Sequence, residues 1–143
     1  MLRILINPIE EVEKAYRNGD FFVGFILAAT YIEYEVNCIM GYLMGDLPQK
    51  LFLENLPLRI KLECLSELNR IDRTTYKKIK EIMKIRNRLM HPSDLIDRQG
   101  RKGDPLLRFM LNEKEKSFLC NFKECYSKLV QTDFKLFKAR AEK

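Results

Sequence analysis

Residues 20–45, DFFVGFILAATYIEYEVNCIMGYLMG, decide the fold. Asp20 is a good N-cap, Gly45 a natural stop, and no proline interrupts the stretch between them. Phe21, Phe22, Val23, Phe25, Ile26 and Leu27 would put apolar side chains on almost every side of a helix. A helix that is apolar all round is one that neighbours bury, so this segment is expected at the centre of a helical bundle. Its longest apolar run, 21–32, is broken by Glu33 and Glu35. That length suits a buried helix and not a membrane span. Thr30, Glu33 and Asn37 recur at i, i+3 and i+7 and form one polar stripe. An interhelical hydrogen-bond network or dimer contact is the simpler reading of the stripe, and support of a catalytic site the sharper one.

Working outward, Asn7 and Pro8 predict a helix start, with Glu10 and Glu11 against the positive end of its dipole and Asn18-Gly19 as its close. Residues 47–56 look like a connector with a short helical turn. Pro57 opens a third helix to about Asn69, with Leu58, Leu62, Leu65 and Leu68 on one face. Asp72 or Thr74 caps a fourth, in which Tyr76, Ile79, Ile82, Met83, Ile85 and Leu89 keep the helical period. Residues 92–105 read as a polar loop and 106–111 as either extended or helical. Asn112 with Glu115 makes a capping-box-like start for a last helix carrying Phe118, Phe122, Cys125, Leu129, Phe134 and Phe137. Five main helices with short connections predict an all-α fold, an up-and-down bundle of four to five helices, as a single domain over 1–143.

Composition agrees. With 46% hydrophobic and 32% charged residues the 143-residue chain is too apolar for disorder, and its 6 Gly and 5 Pro are too few for an all-β fold. The net charge of +6 hides an asymmetry: residues 1–56 carry −4 and residues 57–143 carry +10. A basic half of that kind suits a phosphate-bearing or acidic partner, or is simply a solvated, lysine-rich surface. Cys38, Cys64, Cys120 and Cys125 form no CxxC pair, and with one histidine in the chain a metal site is not expected. They read as small buried thiols in a reducing cytoplasm. A secretory signal is not expected, because the first 30 residues lack a basic start followed by an apolar run and a small-residue cleavage site, and Tyr31, Tyr34 and Tyr42 read as core residues.

The chemistry concentrates at 85–92, IRNRLMHP, which holds the only histidine. Pro92 disfavours the α region for His91, so the helix should end near Met90 and leave the imidazole at its mouth. Histidine suits proton transfer near neutral pH, and arginine suits phosphate through its bidentate fork. A helix C-terminus favours the imidazolium, whereas Arg86 and Arg88 favour the neutral base. In a continuous helix Arg86 and His91 would stand about 140° apart. A break before Pro92, or a second copy across a two-fold axis, would bring the two side chains to one phosphate, and both arguments favour a homodimer with a shared cleft. Lys77, Lys80 and Lys84 on the same helix, with Arg98, Arg101 and Lys102 in the following loop, are candidates for tracking an RNA backbone or are plain solvated cations.

Arg86-Asn87-x-x-x-His91, at the end of a basic amphipathic helix in a small bundle, resembles the Rx4-6H signature of HEPN domains. The specific part of the likeness is six residues. It implies an α-helical, usually dimeric, metal-independent endoribonuclease with Arg86 and His91 catalytic and Asn87 as the polar residue that often follows the arginine. An acidic residue on an earlier helix sometimes supports such a site, which points to Glu33, with Asn37 and Arg88 as further supporters. HEPN toxins paired with nucleotidyltransferase-like antitoxins commonly have a tyrosine two positions after the histidine, and here that residue is Ser93. The expectation is thus a cytoplasmic homodimeric ribonuclease of toxin or antiviral-defence type, leaving 2′,3′-cyclic phosphate ends. It would need no cofactor and no metal, with RNA as substrate and an antitoxin or effector protein as a further partner. Membrane association is not expected. The alternative is a non-catalytic HEPN-like module that binds a nucleotide, a nucleic acid or a protein.

Overall fold

Local capping sets the helix ends. In the computed structural model, which describes residues 7–44, 55–89 and 105–142 (side chains at 21, 88, 89 and 105–116 excepted), the chain forms five α-helices. These are α1 (Pro8–Arg17), α2 (Phe21–Met44), α3 (Leu58–Glu67), α4 (Arg73–Leu89) and α5 (Pro105–Ala141), and no strand occurs among the described residues. The fold is all-α.

Asn7 caps α1 by accepting from the Glu10 amide at 3.4 Å, with Pro8 in the first helical position. Its other end is a Schellman motif: the Gly19 amide reaches the Tyr16 carbonyl (3.1 Å) and the Asp20 amide the Ala15 carbonyl (2.9 Å). Gly19 supplies the left-handed residue, φ 78°. The end of α3 repeats the motif with asparagine in that place. Asn69, φ 55°, donates to the Ser66 carbonyl and Arg70 to that of Leu65. Asp72 rather than Thr74 starts α4, its Oδ1 accepting from the Thr75 amide at 2.7 Å. That bond and the Lys128 ammonium hold the Asp72 carboxyl down at about 2.

One boundary differs from the sequence expectation. α5 runs unbroken for 37 residues from Pro105, so Asn112 is interior and not a cap. Proline fits the first turn of a helix, and the leucines and methionine that follow are strong helix formers. One interior asparagine costs a fraction of a kcal/mol, too little to restart the helix.

The chain sorts into two compact units, Met1–Ala29 with Glu81–Lys123 and Thr30–Lys80 with Glu124–Lys143, and α2, α4 and α5 each contribute to both. In the first, an aromatic triad forms the centre. Phe25 and Phe118 meet edge to face at 4.4 Å, and Tyr16 lies 5.9 Å from Phe25 and 6.2 Å from Phe118. Val12, Ala28, Ile82 and Phe122 of the same unit are all at most 1% exposed. In the second unit, Ile32, Val36 and Ile39 of α2 are buried with Leu65, Ile79 and Leu129.

The triad makes a local prediction about Gly24. A Cβ there would stand 2.9 Å from Tyr16 Cδ2 and Cε2, on a ring held against two phenylalanines. Alanine inside a helix normally gains about 1 kcal/mol over glycine, but overpacking costs about 1–3 kcal/mol. Gly24→Ala is therefore expected to lower the urea midpoint with an unchanged denaturant slope. A more stable variant would show that the ring yields freely.

Periodicity named the inward faces well and the coverage of helix ends poorly. Leu68 is 56% exposed, because the turn at Asn69 ends α3 before a neighbour can cover it. Phe134 and Phe137, expected in the apolar face of the last helix, are 57% and 54% exposed. Tyr34 is exposed as well, while Tyr31 and Tyr42 are half-buried. All four cysteines are free, but only Cys125 is buried and Cys120 is exposed. Phe22–Met44 is long and apolar enough to cross a bilayer, with a mean hydropathy of 1.3 over its most apolar stretch, 44% of which is buried inside the protein.

Candidate functional site

In α4 the sequence pattern separates two faces. Tyr76, Ile79, Ile82, Met83 and Ile85 are buried, and Lys77, Lys80 and Lys84 are exposed on the other side. In the first unit, the half-buried Arg86 donates from Nη2 to the Asn87 carbonyl oxygen at 3.3 Å, and Asn87 itself is exposed. This bond leaves the Asn87 NH2 group as a donor directed by the guanidinium it touches. One turn earlier Lys84 lies 4.0 Å from Glu81, an exposed pair that contributes little to stability and leaves the lysine facing solvent. In the second unit, Lys77 and Lys80 face solvent, with the Lys80 ammonium 5.2 Å from the Tyr76 ring centroid and Arg73 5.0 Å from it. Lys78 differs from its neighbours: it is partly buried and bonded to Glu124.

The expected helix end at Met90 lies outside the described residues. So do His91, Arg98, Arg101 and Lys102, and the side chain of Arg88. Of the proposed catalytic set, Arg86 and Asn87 are the members whose contact is described.

The polar stripe of α2 belongs to the second unit. Asn37 Oδ1 accepts from Lys61 Nζ at 2.7 Å, and Lys61, on α3, is 3% exposed. Asn37 thereby satisfies a buried ammonium, which would otherwise cost several kcal/mol. Glu33 is half-buried one turn earlier. Sequence reading missed Lys61 because a lysine two positions after an exposed arginine looks like surface; its place between Ile60 and Leu62, on the inward side, was the available signal.

A second feature was not anticipated. Glu35 on α2 is 7% exposed and hydrogen-bonds the side chain of Asp133 on α5, while its Oε2 is buried with no hydrogen-bond partner. Burial, then the bond to Asp133 and its charge, push the Glu35 carboxyl up to about 7. Cys38, one turn on, has its thiol pushed up by burial and by Glu35, and Tyr126 on α5 is raised to about 12, chiefly by burial. The group joins α2 to α5 as an interhelical seam. The signal was a heptad: residues 31, 35, 38 and 42 of α2 against 126, 133 and 140 of α5.

A cleft in the first unit, about 170 Å³, is lined by Ile82, Ile85, Phe118, Ser117, Asn121 and Glu81. With a carboxylate as its one ionisable group, it cannot attract a phosphate. No three His, Cys, Asp or Glu side chains are grouped to hold a metal among the described residues. The Cys125 thiol, pushed up to about 12 by burial, is no nucleophile. No family model, no curated protein and no solved structure matches this chain. What can be stated of its class is an all-α protein whose fourth helix carries exposed cations and an arginine–asparagine pair near its end.

Proposed function

We propose that the chain is a HEPN-like up-and-down helical domain that cleaves RNA without metal, as a homodimer. The observation that carries this is the Arg86 Nη2 to Asn87 Oδ1 bond near the C-terminal end of α4, with Lys84 exposed one turn away. It supports a phosphate clamp with a pre-oriented amide, four and five residues before the only histidine.

In the proposed reaction, the imidazole of His91 takes the proton of a 2′-hydroxyl, and the freed oxygen attacks the adjacent phosphorus. The 5′-oxygen of the next nucleotide leaves and takes up a proton. The products are a 2′,3′-cyclic phosphate and a 5′-hydroxyl. Arg86 holds the phosphate oxygens as charge builds on them, Asn87 orients one of them, and Arg88 is a supporting residue. Lys77, Lys80 and Lys84, with Arg98, Arg101 and Lys102, attract the RNA. A toxin or antiviral-defence role in the cytoplasm, with an antitoxin or effector protein as partner, is the biological setting that this chemistry suits.

The test is RNA incubated in excess chelator with wild type, His91→Ala and Arg86→Ala. Wild type should cut, and each variant should lose roughly 100-fold or more, the scale of a general acid–base contribution. Equal cutting by all three would overturn the assignment. Binding that weakens with salt, with no cleavage by wild type, would instead select the non-catalytic HEPN-like module.

A further inference from the structure

In the second unit, between the turn after α3 and α5, two cations stand without counter-ions. Two clefts there, of about 240 and 260 Å³, share Arg70, Thr132 and Lys135 as walls. Asp72, Lys128 and Gln131 also line the first, and Asn69 and Leu136 the second. Asp72 is the one carboxylate that lines either cleft, and both of its oxygens are taken. Oδ1 accepts from the Thr75 amide at 2.7 Å and Oδ2 from Lys128 at 2.9 Å. With Lys128 and Asp72 cancelling, each cleft keeps the charges of Arg70 and Lys135. Neither of these meets a carboxylate among the described residues, whereas Arg59, Lys78 and Lys128 of the same unit each do. The backbone that carries Arg70 is held at both of its polar groups. Its amide donates to the Leu65 carbonyl at 2.9 Å, behind the left-handed Asn69. Its carbonyl lies 3.4 Å from the Thr132 hydroxyl of α5, which the Lys128 carbonyl shares at 3.0 Å.

A cleft lined by one sign of charge focuses its field and concentrates the opposite ion. Arginine offers a rigid fork to two oxygens of one phosphorus, and lysine a point charge beside it. A guanidinium on an anchored backbone also has less freedom to lose on binding. Two unpaired charges match a phosphate monoester, which carries about −1.5 to −2 at pH 7. A diester or a single carboxylate carries one charge and matches them less well. Each cleft falls below the roughly 300–1,000 Å³ of an ordinary ligand pocket, so the occupant should be compact. We propose that Arg70 and Lys135, with Gln131 beside them in the first cleft, bind a phosphoryl dianion, supplied as inorganic phosphate or as the phosphate of a nucleoside monophosphate. The site lies apart from the ribonuclease reading above and does not depend on it.

The experiment titrates the isotope-labelled full-length chain, in phosphate-free buffer near pH 7.5, with inorganic phosphate and separately with adenosine 5′-monophosphate, following backbone amides by NMR. Amides over 69–72 and 131–136 should shift and saturate. Arg70→Gln should weaken binding roughly 10–100-fold, the scale of a lost charge-assisted hydrogen bond, and Lys135→Gln about 10-fold. Arg70→Lys keeps the charge without the fork and should recover only part of the loss. Arg59→Gln removes the same charge from α3 outside both clefts, and screening should hold its effect below about 2-fold. Tighter binding of the nucleotide than of phosphate identifies a nucleotide site, and equal binding identifies recognition of the phosphoryl group alone; either supports the proposal. Dimethyl phosphate, a monoanionic diester like those along RNA, should bind at least about 10-fold more weakly. Equal binding of the diester would make the clefts an RNA-backbone contact and overturn the proposal. Wild-type affinity in Arg70→Gln, an equal loss in Arg59→Gln, or shifts that fail to saturate by about 10 mM would overturn it too. Arg70 and Lys135 are exposed, so unchanged melting temperatures should separate lost affinity from lost fold. Absence of RNA cleavage by the same protein would sink the ribonuclease reading and leave this site standing.

Discussion

Phe118→Ala is expected to lower the thermal midpoint by roughly 10–20 °C, more than any substitution on the solvent faces of α4 or α5. The side chain is 4% exposed, its ring is edge-on to Phe25 at 4.4 Å, and it lies nearly parallel to Tyr16 at 6.2 Å. Truncation removes about 3–5 kcal/mol through lost burial and the cavity left behind. Two ring pairs worth about 0.5–1.5 kcal/mol each go with it, already counted in part within that range. Domains are stable by only about 5–15 kcal/mol, so the variant should sit close to its unfolding threshold at 37 °C. Phe118→Leu, which refills most of the volume, should recover more than half of the loss. Calorimetry or circular dichroism on the three proteins decides it. A loss below about 1 kcal/mol for alanine would mean that the triad is not a packed core.

Glu35→Gln should stabilise the protein at pH 8 and leave it nearly unchanged at pH 4.5. The carboxyl lies at about 7 in the folded chain against an ordinary 4.5. The folded state therefore keeps a proton that the unfolded chain has lost between those two values. Stability is highest below about 4.5, falls as pH rises to about 7, and is level above that. At pH 8 the ionised, buried Glu35 faces Asp133 across the seam, with Tyr34, Cys38 and Tyr42 on its own helix and Tyr126 on α5 as other titratable neighbours. None of these supplies a positive charge. Glutamine keeps the shape and can donate to Asp133, so the gain should be on the order of 1–3 kcal/mol at pH 8. Asp133→Asn should give a similar gain, and the double variant little more than either, because one repulsion is relieved once. Melting curves from pH 4.5 to 8 test this. A pH-independent difference, or a loss at pH 8, would mean that the carboxyl is ionised throughout and finds other compensation.

Much of the secondary structure was legible because it is locally specified. Asn7-Pro8, Asn18-Gly19 and Asp72 each act on amides or carbonyls within a few residues of themselves, so their effect could be read without knowing the fold. The cap at Asn112 was misread for the same reason: a local preference was credited without weighing the strong helix formers on either side of it. Arg86 and Asn87 were found by spacing, but consecutive helical side chains point about 100° apart, so their mutual bond was not legible in the sequence. Leu68 and Phe134 were misplaced because period names a face and says nothing of whether a neighbour covers it.

By itself the sequence determined that the chain is helical, where four of its helices begin, and which side of α4 turns inward, since all of these depend on contacts within one turn or on the 3.6-residue period. The stretch at 20–45 was correctly read as one long helix, but its fate along its length was a tertiary matter. Register between α2 and α5 decided that Glu35 would meet Asp133 and hold a proton. Packing of α3 decided that Asn37 would serve the buried Lys61. Packing along α5 decided that Phe134 and Phe137 would face water. Those outcomes depend on which atoms from distant parts of the chain arrive within a few ångströms, and burial and pKa respond to that distance, not to the residue's own identity.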